Sequence, residues 1–505
     1  MIAAALTANF PKPRAKLARS LPLAAALAFA GCAVGPNYHR PTTPTPAAYK
    51  EAAGWKPAAP ADATARGPWW EIFNDPRLNE LEAQATVANQ SLLQAAANYE
   101  QARQLARADH ATLFPSLSVS GSAERAKASS GARAAGSPPV AGSTAPSNLF
   151  SASLGASWTP DFWGRVRRLT EADIAAAQAS AADLAAAQLS TQSTLAQDYI
   201  QLRIADERLR LRQNAVEAYR RTLEIAQNKY NVGIVARSDV ISAQALLDAA
   251  RAQVIDAHIQ RDQLEHAVAV LVGQPPSALT IEPQPTLAST VPDIPAQLPS
   301  DLLERRPDIA AAERNVAAVN ARIGIQTAAY FPALTLSAAG GYQDSALNSL
   351  FNAPNRFWSI GASLGDTLFD FGERRAQVAS ARAAFDASDA GYRATVLGAF
   401  REVEDNLAAL RVLAAEQEVE DAAVTEAADA ARIALNEYKA GTVDYTSVVT
   451  AQVTELNNRQ TALGILESRL TATVALIEAL GGGWNSAALP ATDQVLARRA
   501  STVSH

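Results

Sequence analysis

The stretch Tyr230-Asn-Val-Gly233-Ile-Val-Ala-Arg237-Ser238-Asp239-Val240 decides the fold, because it returns 208 residues later as Tyr438-Lys-Ala-Gly441-Thr-Val-Asp444-Tyr445-Thr-Ser447-Val448. With that offset Tyr230 falls on Tyr438, Gly233 on Gly441, Val240 on Val448, Ala243 on Ala451 and Gln244 on Gln452. Each copy interrupts a long helical pattern with a glycine, which takes φ > 0 at a helix end without steric cost. Ser238 and Asp239 in the first copy, and Thr446 and Ser447 in the second, then offer side-chain oxygens to restart a helix. The expectation is two long helical hairpins with similar tips, at 230–240 and 438–448.

The helix leading to the first tip runs from Val166 to Tyr230, roughly 98 Å at 1.5 Å per residue. Leu195, Leu202, Leu209, Val216, Leu223 and Tyr230 repeat every seven residues, and Ile204, Leu211, Ala218 and Ile225 repeat displaced by two. Two positions along a helix is about 200° of rotation, so the two apolar seams lie on nearly opposite flanks. A helix at the edge of a globule needs one broad apolar face. A stave in a wall needs two. The return helix, Ser238 to about Val272, carries Val240, Leu247, Val254 and Val268; its second copy carries Val449, Leu456, Leu463, Leu470 and Ile477. An ordinary antiparallel coiled coil is the plainer reading, and the double seam argues against it.

Ahead of each hairpin the period changes to two. Ser116, Ser118, Ser120 and Ser122 alternate with Leu117, Val119 and Gly121, and Phe150, Ala152, Leu154, Ala156 and Trp158 alternate with Ser151, Ser153, Gly155 and Ser157. The pattern recurs at Leu334, Leu336 and Ala338, then at Trp358, Ile360, Ala362 and Leu364 against Ser359, Gly361 and Ser363. One face is apolar, the other small and polar, and at these positions neither is charged. Strands of about 10 residues suit a tilted membrane crossing, and the aromatics at their ends (Phe114, Trp158, Phe331, Trp358) resemble interface girdles. Four strands cannot close a barrel, and open edges are not tolerated in hydrocarbon. Several copies of the chain must therefore share one barrel.

Composition fits this elongated plan. The 505 residues carry net charge −6, and the first 31 hold Lys12, Arg14, Lys16 and Arg19 with no acid, so their removal leaves −10. No basic stripe or basic–aromatic interleaving points to nucleic acid. The single cysteine, Cys32, excludes an internal disulfide framework. It follows a basic n-region to Arg19, apolar residues Leu21 to Ala30, and Phe29-Ala30-Gly31, which read as a signal peptide over 1–31. Beyond Ala30 no run of 18 apolar residues offers a membrane-spanning helix.

The remaining segments connect these units. Residues 32–76 form an N-terminal tether, proline-rich to 68, and Trp69-Trp70 and Phe73 anchor it. The first repeat spans 77–273, with its β-hairpin at about 113–158; Asp75-Pro76 starts a helix toward about Ala111. A proline-rich linker, 274–300, leads to the second repeat, 301–480, with its β-hairpin at about 331–365. There Asp308 is expected to cap a helix to about Ala329, and Gly481-Gly-Gly-Trp484 opens a C-terminal tail to 505.

With these residues placed, the sequence resembles an outer membrane factor, the outer membrane efflux proteins of the TolC/OprM/NodT type. The carrying motifs are Gly31-Cys32-Ala-Val-Gly-Pro-Asn-Tyr38, Trp69-Trp70, Asp161-Phe-Trp-Gly164, Arg306-Pro307-Asp308-Ile309, Ala318-Val-Asn-Ala-Arg-Ile-Gly324, Tyr330-Phe-Pro332, Asp370-Phe-Gly372 and Gly481-Gly-Gly-Trp484. The set runs in order along nearly the whole chain. The resemblance implies an α+β membrane protein: a homotrimer in which four strands per protomer make one 12-stranded β-barrel, continuing into a long periplasmic α-helical barrel with an equatorial mixed domain. It implies a passive exit duct that docks to a periplasmic adaptor and an inner-membrane pump of the RND type. It also implies a lipobox at Cys32, with Phe29 where Leu is usual, so an acyl/diacylglycerol lipid on Cys32 and no other cofactor. Ala33 in place of Asp favours the outer membrane. For the tips, the resemblance implies a latch in which the Tyr438 hydroxyl meets Asp239. Val443 occupies the family's arginine latch position, Ser447 and Thr450 its aperture acids, and Asp444 is the one nearby substitute. Asp239 is equally well read as a helix N-cap. Gly233, Arg237, Ser238, Gly441 and Tyr445 fall where an adaptor would dock.

An enzyme is not supported. The five histidines show no metal spacing beyond His258 and His266, which read as solvent-facing, and neither a phosphate loop nor a nucleophile elbow follows a strand. The competing class is a coiled-coil lipoprotein without a pore.

Overall fold

A computed structural model describes residues 33–43, 45–46, 48–52, 68–127, 146–283, 291–292 and 302–497. The signal peptide, Cys32, most of the loop joining the first two strands, much of the linker and residues 498–505 lie outside the described residues.

Four strands form one antiparallel meander: β1 (Ser116–Ala126), β2 (Ser147–Trp158), β3 (Ala333–Asp344) and β4 (Arg356–Gly365). The register sets Val119 opposite Leu154, Leu154 opposite Gly340, and Ala338 opposite Ile360. One face therefore gathers the apolar residues of all four strands. The other gathers the serines, and hydroxyls pair across it: Ser120 with Ser153 and Ser122 with Ser151, each at 2.8 Å. Leu117, Val119, Trp358, Ile360 and Leu364 stand on the apolar face more than two-thirds exposed, with no described element packed over them. That is a surface built for a non-aqueous neighbour.

Among the described residues there are seven longer helices: α1 (Pro76–Ala88), α2 (Gln90–Ala111), α3 (Arg165–Asn231), α4 (Arg237–Leu271), α5 (Pro307–Ala328), α6 (Glu373–Ala440) and α7 (Tyr445–Ala479). Helices α3 and α6, of 67 and 68 residues, are each about 100 Å long. Each starts at the sheet, and α4 and α7 pack back along their far ends. The double seam works as expected: Leu195 and Leu202 are fully buried on one flank and Ile204 on the other. No described helix is long and apolar enough to cross a membrane.

Two local expectations are corrected. The helix from Pro76 is not continuous to Ala111: Asn89 leaves helical geometry and caps α2 through the amides of Ser91 and Leu92, while its side chain donates to the Leu271 carbonyl. Asp75 does cap α1, as expected, and also accepts from the Tyr199 hydroxyl at 2.8 Å. Asp308 does not cap α5. The cap is Arg306, whose buried guanidinium takes Asp308, Glu402 and the Ala479 carbonyl, joining the start of the second repeat to its end. Desolvating that cation is offset only because every acceptor is close.

The tether clasps the top of the helices. Arg168, 4 % exposed, donates to the carbonyls of Val34 and Gly35 and to Asn37, and pairs with Glu171. Gly35, at φ +97°, packs against Gly324, where a Cβ would stand 2.8 Å from Arg168 and 2.9 Å from the Val34 oxygen. Ala33, the residue after Cys32, is seated against Gly164 at the head of α3, beside the Trp163–Phe331 stack at the base of the sheet.

Candidate functional site: the paired tips and the open sheet

Both tips are built alike. Gly233 and Gly441 sit at φ +77° and +84°, the left-handed conformation that ends a helix. Around them Gly233 N–H reaches the Tyr230 carbonyl and Ile234 N–H that of Lys229, while Gly441 reaches Tyr438 and Thr442 reaches Glu437. These bonds satisfy carbonyls that the last helical turn leaves open.

The restarts differ from expectation. Helix α4 has Ala236 as its N-cap with no side-chain bond, and Ser238 and Asp239 stand inside the first turn, Ser238 donating to Asp239 at 3.4 Å. Asp239 is therefore not an N-cap. In the second tip the cap is Asp444, whose carboxylate takes the Ser447 amide at 2.9 Å and its hydroxyl at 2.7 Å. These bonds hold Asp444 below the usual carboxylate range, the Ser447 hydroxyl first. Thr450 spends its hydroxyl on the Thr446 carbonyl.

The expected Tyr438–Asp239 bond is absent within the protomer. Tyr438 is 2 % exposed, and its hydroxyl has no hydrogen-bond partner. Burial, then the nearby Asp239 charge, raises its pKa; Tyr445 is pushed up to about 12 by burial, with Tyr438, Tyr219 and Asp239 adding to it. Both phenols stay neutral. What links the hairpins instead is Lys229, in the last turn of α3. Its ammonium donates to the Tyr438 carbonyl and lies 4.5 Å from the Tyr438 ring centroid. Tyr438 in turn meets Tyr445 edge-on at 5.8 Å, inside a core that includes Tyr219, Leu223, Leu247 and Val448. A cation against an aromatic face, aimed at a helix C-terminus, is favourable twice over. The sequence signal for Lys229 was its place one residue before Tyr230, but nothing in one chain says which ring a lysine will find.

Tyr445 is 4 % exposed, so burial in this core removes its side chain from any docking surface. Gly233, Arg237, Ser238 and Gly441 remain exposed, joined by Val232 and Ile234 at 70 % and 65 %, two apolar residues past the end of α3 that no periodic seam of that helix includes. His258 and His266 are exposed, as expected.

A four-stranded sheet with an uncovered apolar face, running into paired helical tips, defines a class: the outer-membrane channel with a helical extension. The chain belongs to the outer membrane efflux protein family, whose model matches residues 81–274 and 298–482. Among curated relatives it is 29 % identical to the probable efflux pump outer membrane protein TtgC of Pseudomonas putida, over 90 % of this chain and 93 % of that one. It is 30 % identical to outer membrane protein OprJ of Pseudomonas aeruginosa, over 91 % and 95 %. Among solved structures, the outer-membrane channel OprN matches with TM-score 0.81 at 30 % identity, covering 90 % of this chain and 100 % of that one.

Proposed function

We propose that three copies of this chain form the outer-membrane exit duct of a tripartite efflux system, passively conducting small molecules received from an adaptor and an inner-membrane RND-type pump. The observation that carries this is continuity: a sheet with one bare apolar face and one serine-lined face leads directly into helices of about 100 Å. In a closed barrel the apolar face meets lipid and the serine face lines the lumen, which excludes little and selects little. The tips carry the contact with the adaptor, through Val232, Ile234, Arg237 and Ser238 around Gly233, and around Gly441. The clamp of Lys229 on Tyr438 holds each protomer's two tips together, with Asp239, Asp444, Ser447 and Thr450 bordering the mouth. Cys32 carries the acyl/diacylglycerol anchor, a reading supported by the seating of Ala33 against Gly164 beside the base of the sheet.

The test is efflux by intact cells. Deleting the gene makes cells retain a fluorescent pump substrate, and expressing the chain restores efflux only when the cognate adaptor and pump are present. Restoration without them, or no change on deletion, contradicts the reading.

A further inference from the structure

Two helices stand under the first β-hairpin: α2 leads into β1, and α3 leads away from β2. They pack along one another, and Ala106 of α2 meets Ile174 and Ala177 of α3 in the apolar part of that contact. One turn nearer the sheet the contact becomes polar and stays closed to water. Asp173 of α3 is 8 % exposed, and its Oδ2 is buried with no hydrogen-bond partner among the described residues. Asp109, half-buried in the last turn of α2, brings a second carboxyl up against it, and the cation opposing them is Arg322 of α5, itself exposed. The carbonyl end of α2 adds further negative charge. Two carboxyls held together with so little compensation call for a cation or a proton between them.

Thr170 is an independent sign of what that is. It lies one turn before Asp173 on the same side of α3, is 6 % exposed, and its hydroxyl has no partner. A threonine inside a helix can donate to the carbonyl four residues back. The other two buried threonines among the described residues do so, Thr222 to Ala218 at 3.0 Å and Thr473 to Arg469 at 2.8 Å. Thr170 instead lines a cavity of about 490 Å³ that His110, the chain neighbour of Asp109, also lines. The second repeat shows that packing does not require these groups. Phe331 falls there on Phe114 and Gly372 on Gly164, which sets Gln326 in the place of Asp109, Val378 in that of Thr170 and Ala381 in that of Asp173.

We propose that Asp109, Asp173 and the Thr170 hydroxyl hold a hard divalent cation, calcium foremost, that clips α2 to α3 beneath the first β-hairpin. The donors are all oxygens, the ligand type that calcium and magnesium take, and two carboxylates with a hydroxyl suit the flexible shell of calcium better than the strict octahedron of magnesium. Water completes the shell, so a dissociation constant of about 10⁻⁴–10⁻³ M is expected. The clip belongs to a single chain and does not depend on the channel reading.

The test uses full-length protein stripped with EDTA and dialysed, with calcium chloride alone and magnesium chloride alone as probes. Equilibrium dialysis against radioactive calcium should find an ion on each natural chain, held more tightly than magnesium. Asp109→Asn and Asp173→Asn should each weaken it roughly tenfold or more, and Thr170→Val severalfold. Calcium held by residual lipid is common to all samples and cancels in the difference. Melting should show a crossing: in EDTA Asp173→Asn melts at or above the natural chain, because it removes a buried acid, whereas millimolar calcium raises the natural chain alone. Binding or stabilisation that is the same in the natural chain and the three variants overturns the proposal, since such an ion is adventitious. So does a natural chain whose melting ignores calcium, whether it moves with pH, as a shared proton would make it do, or not.

Discussion

The ammonium of Lys229 lies 4.5 Å from the centre of the Tyr438 ring and donates to the Tyr438 carbonyl, tying the last turn of α3 to the last turn of α6. The cation–ring contact and the charged hydrogen bond together hold the two tips of one protomer to each other by roughly 2–3 kcal/mol. Lys229→Met is expected to raise the open population of the mouth by tenfold or more. The check is sensitivity to a large antibiotic in a pump-deleted strain, which should rise while oligomer content stays unchanged.

Tyr438→Phe should behave differently. The Tyr438 hydroxyl is buried without a partner, so removing it breaks no bond within the protomer. Antibiotic leakage in Tyr438→Phe is expected within about twofold of the natural chain, because a buried group with no partner contributes little beyond its own desolvation cost. A leak as large as that of Lys229→Met would show that the hydroxyl is used after all, by Asp239 or by a neighbouring copy.

The repeat places Glu437 where Lys229 stands and Tyr230 where Tyr438 stands. If the seam between copies repeats the seam within the chain, it sets an acid toward a tyrosine ring and lacks the clamp. Glu437→Lys is then expected to tighten the mouth, lowering antibiotic leakage and resting conductance severalfold. Unchanged or increased leakage would show that the mouth is not held along that seam.

Glu82 is fully buried on α1, and neither carboxyl oxygen has a partner. Desolvation raises its pKa from 4.5 to about 9. The folded state favours the neutral acid, so its contribution to stability is complete below about pH 4.5 and is lost as pH rises toward and through about 9. Glu82→Gln should melt with the natural protein at pH 4.5 and above it at pH 8.5, by roughly 1–3 kcal/mol. Parallel melting curves at the two pH values would show that the carboxyl finds a partner in the assembled protein.

Arg168 joins the segment after Cys32 to α3 through three acceptors on that segment. Arg168→Met leaves the Val34 and Gly35 carbonyls without donors and should cost roughly 3 kcal/mol locally. Gly324→Ala, whose methyl would collide with Arg168 and Val34, should loosen the same segment. In limited trypsin digests both variants are expected to be cut faster at Lys50 than the natural chain.

Much of this architecture is legible in the sequence because it is periodic. Alternation of Leu117, Val119 and Gly121 with serines, and sevens from Leu195 to Leu223, each repeat a spacing that only one element geometry satisfies. What the sequence does not show is set by contacts between distant segments. The break at Asn89 depends on the Leu271 carbonyl, 182 residues away, and the role of Arg168 depends on a tether 131 to 134 residues before it. By sequence, Asp239 reads as a cap and Asp444 as a substitute acid at the mouth. Only Asp444 has a backbone amide in reach, because the chain before α4 enters the first turn from Ala236.

A sheet shared between copies would enclose a water-filled path. Purified full-length protein in a planar lipid bilayer tests it most directly. SDS-resistant oligomers are expected to give discrete ion-conducting steps, larger and more frequent in Lys229→Met. Monomers, or oligomers that insert and carry no current, would contradict it.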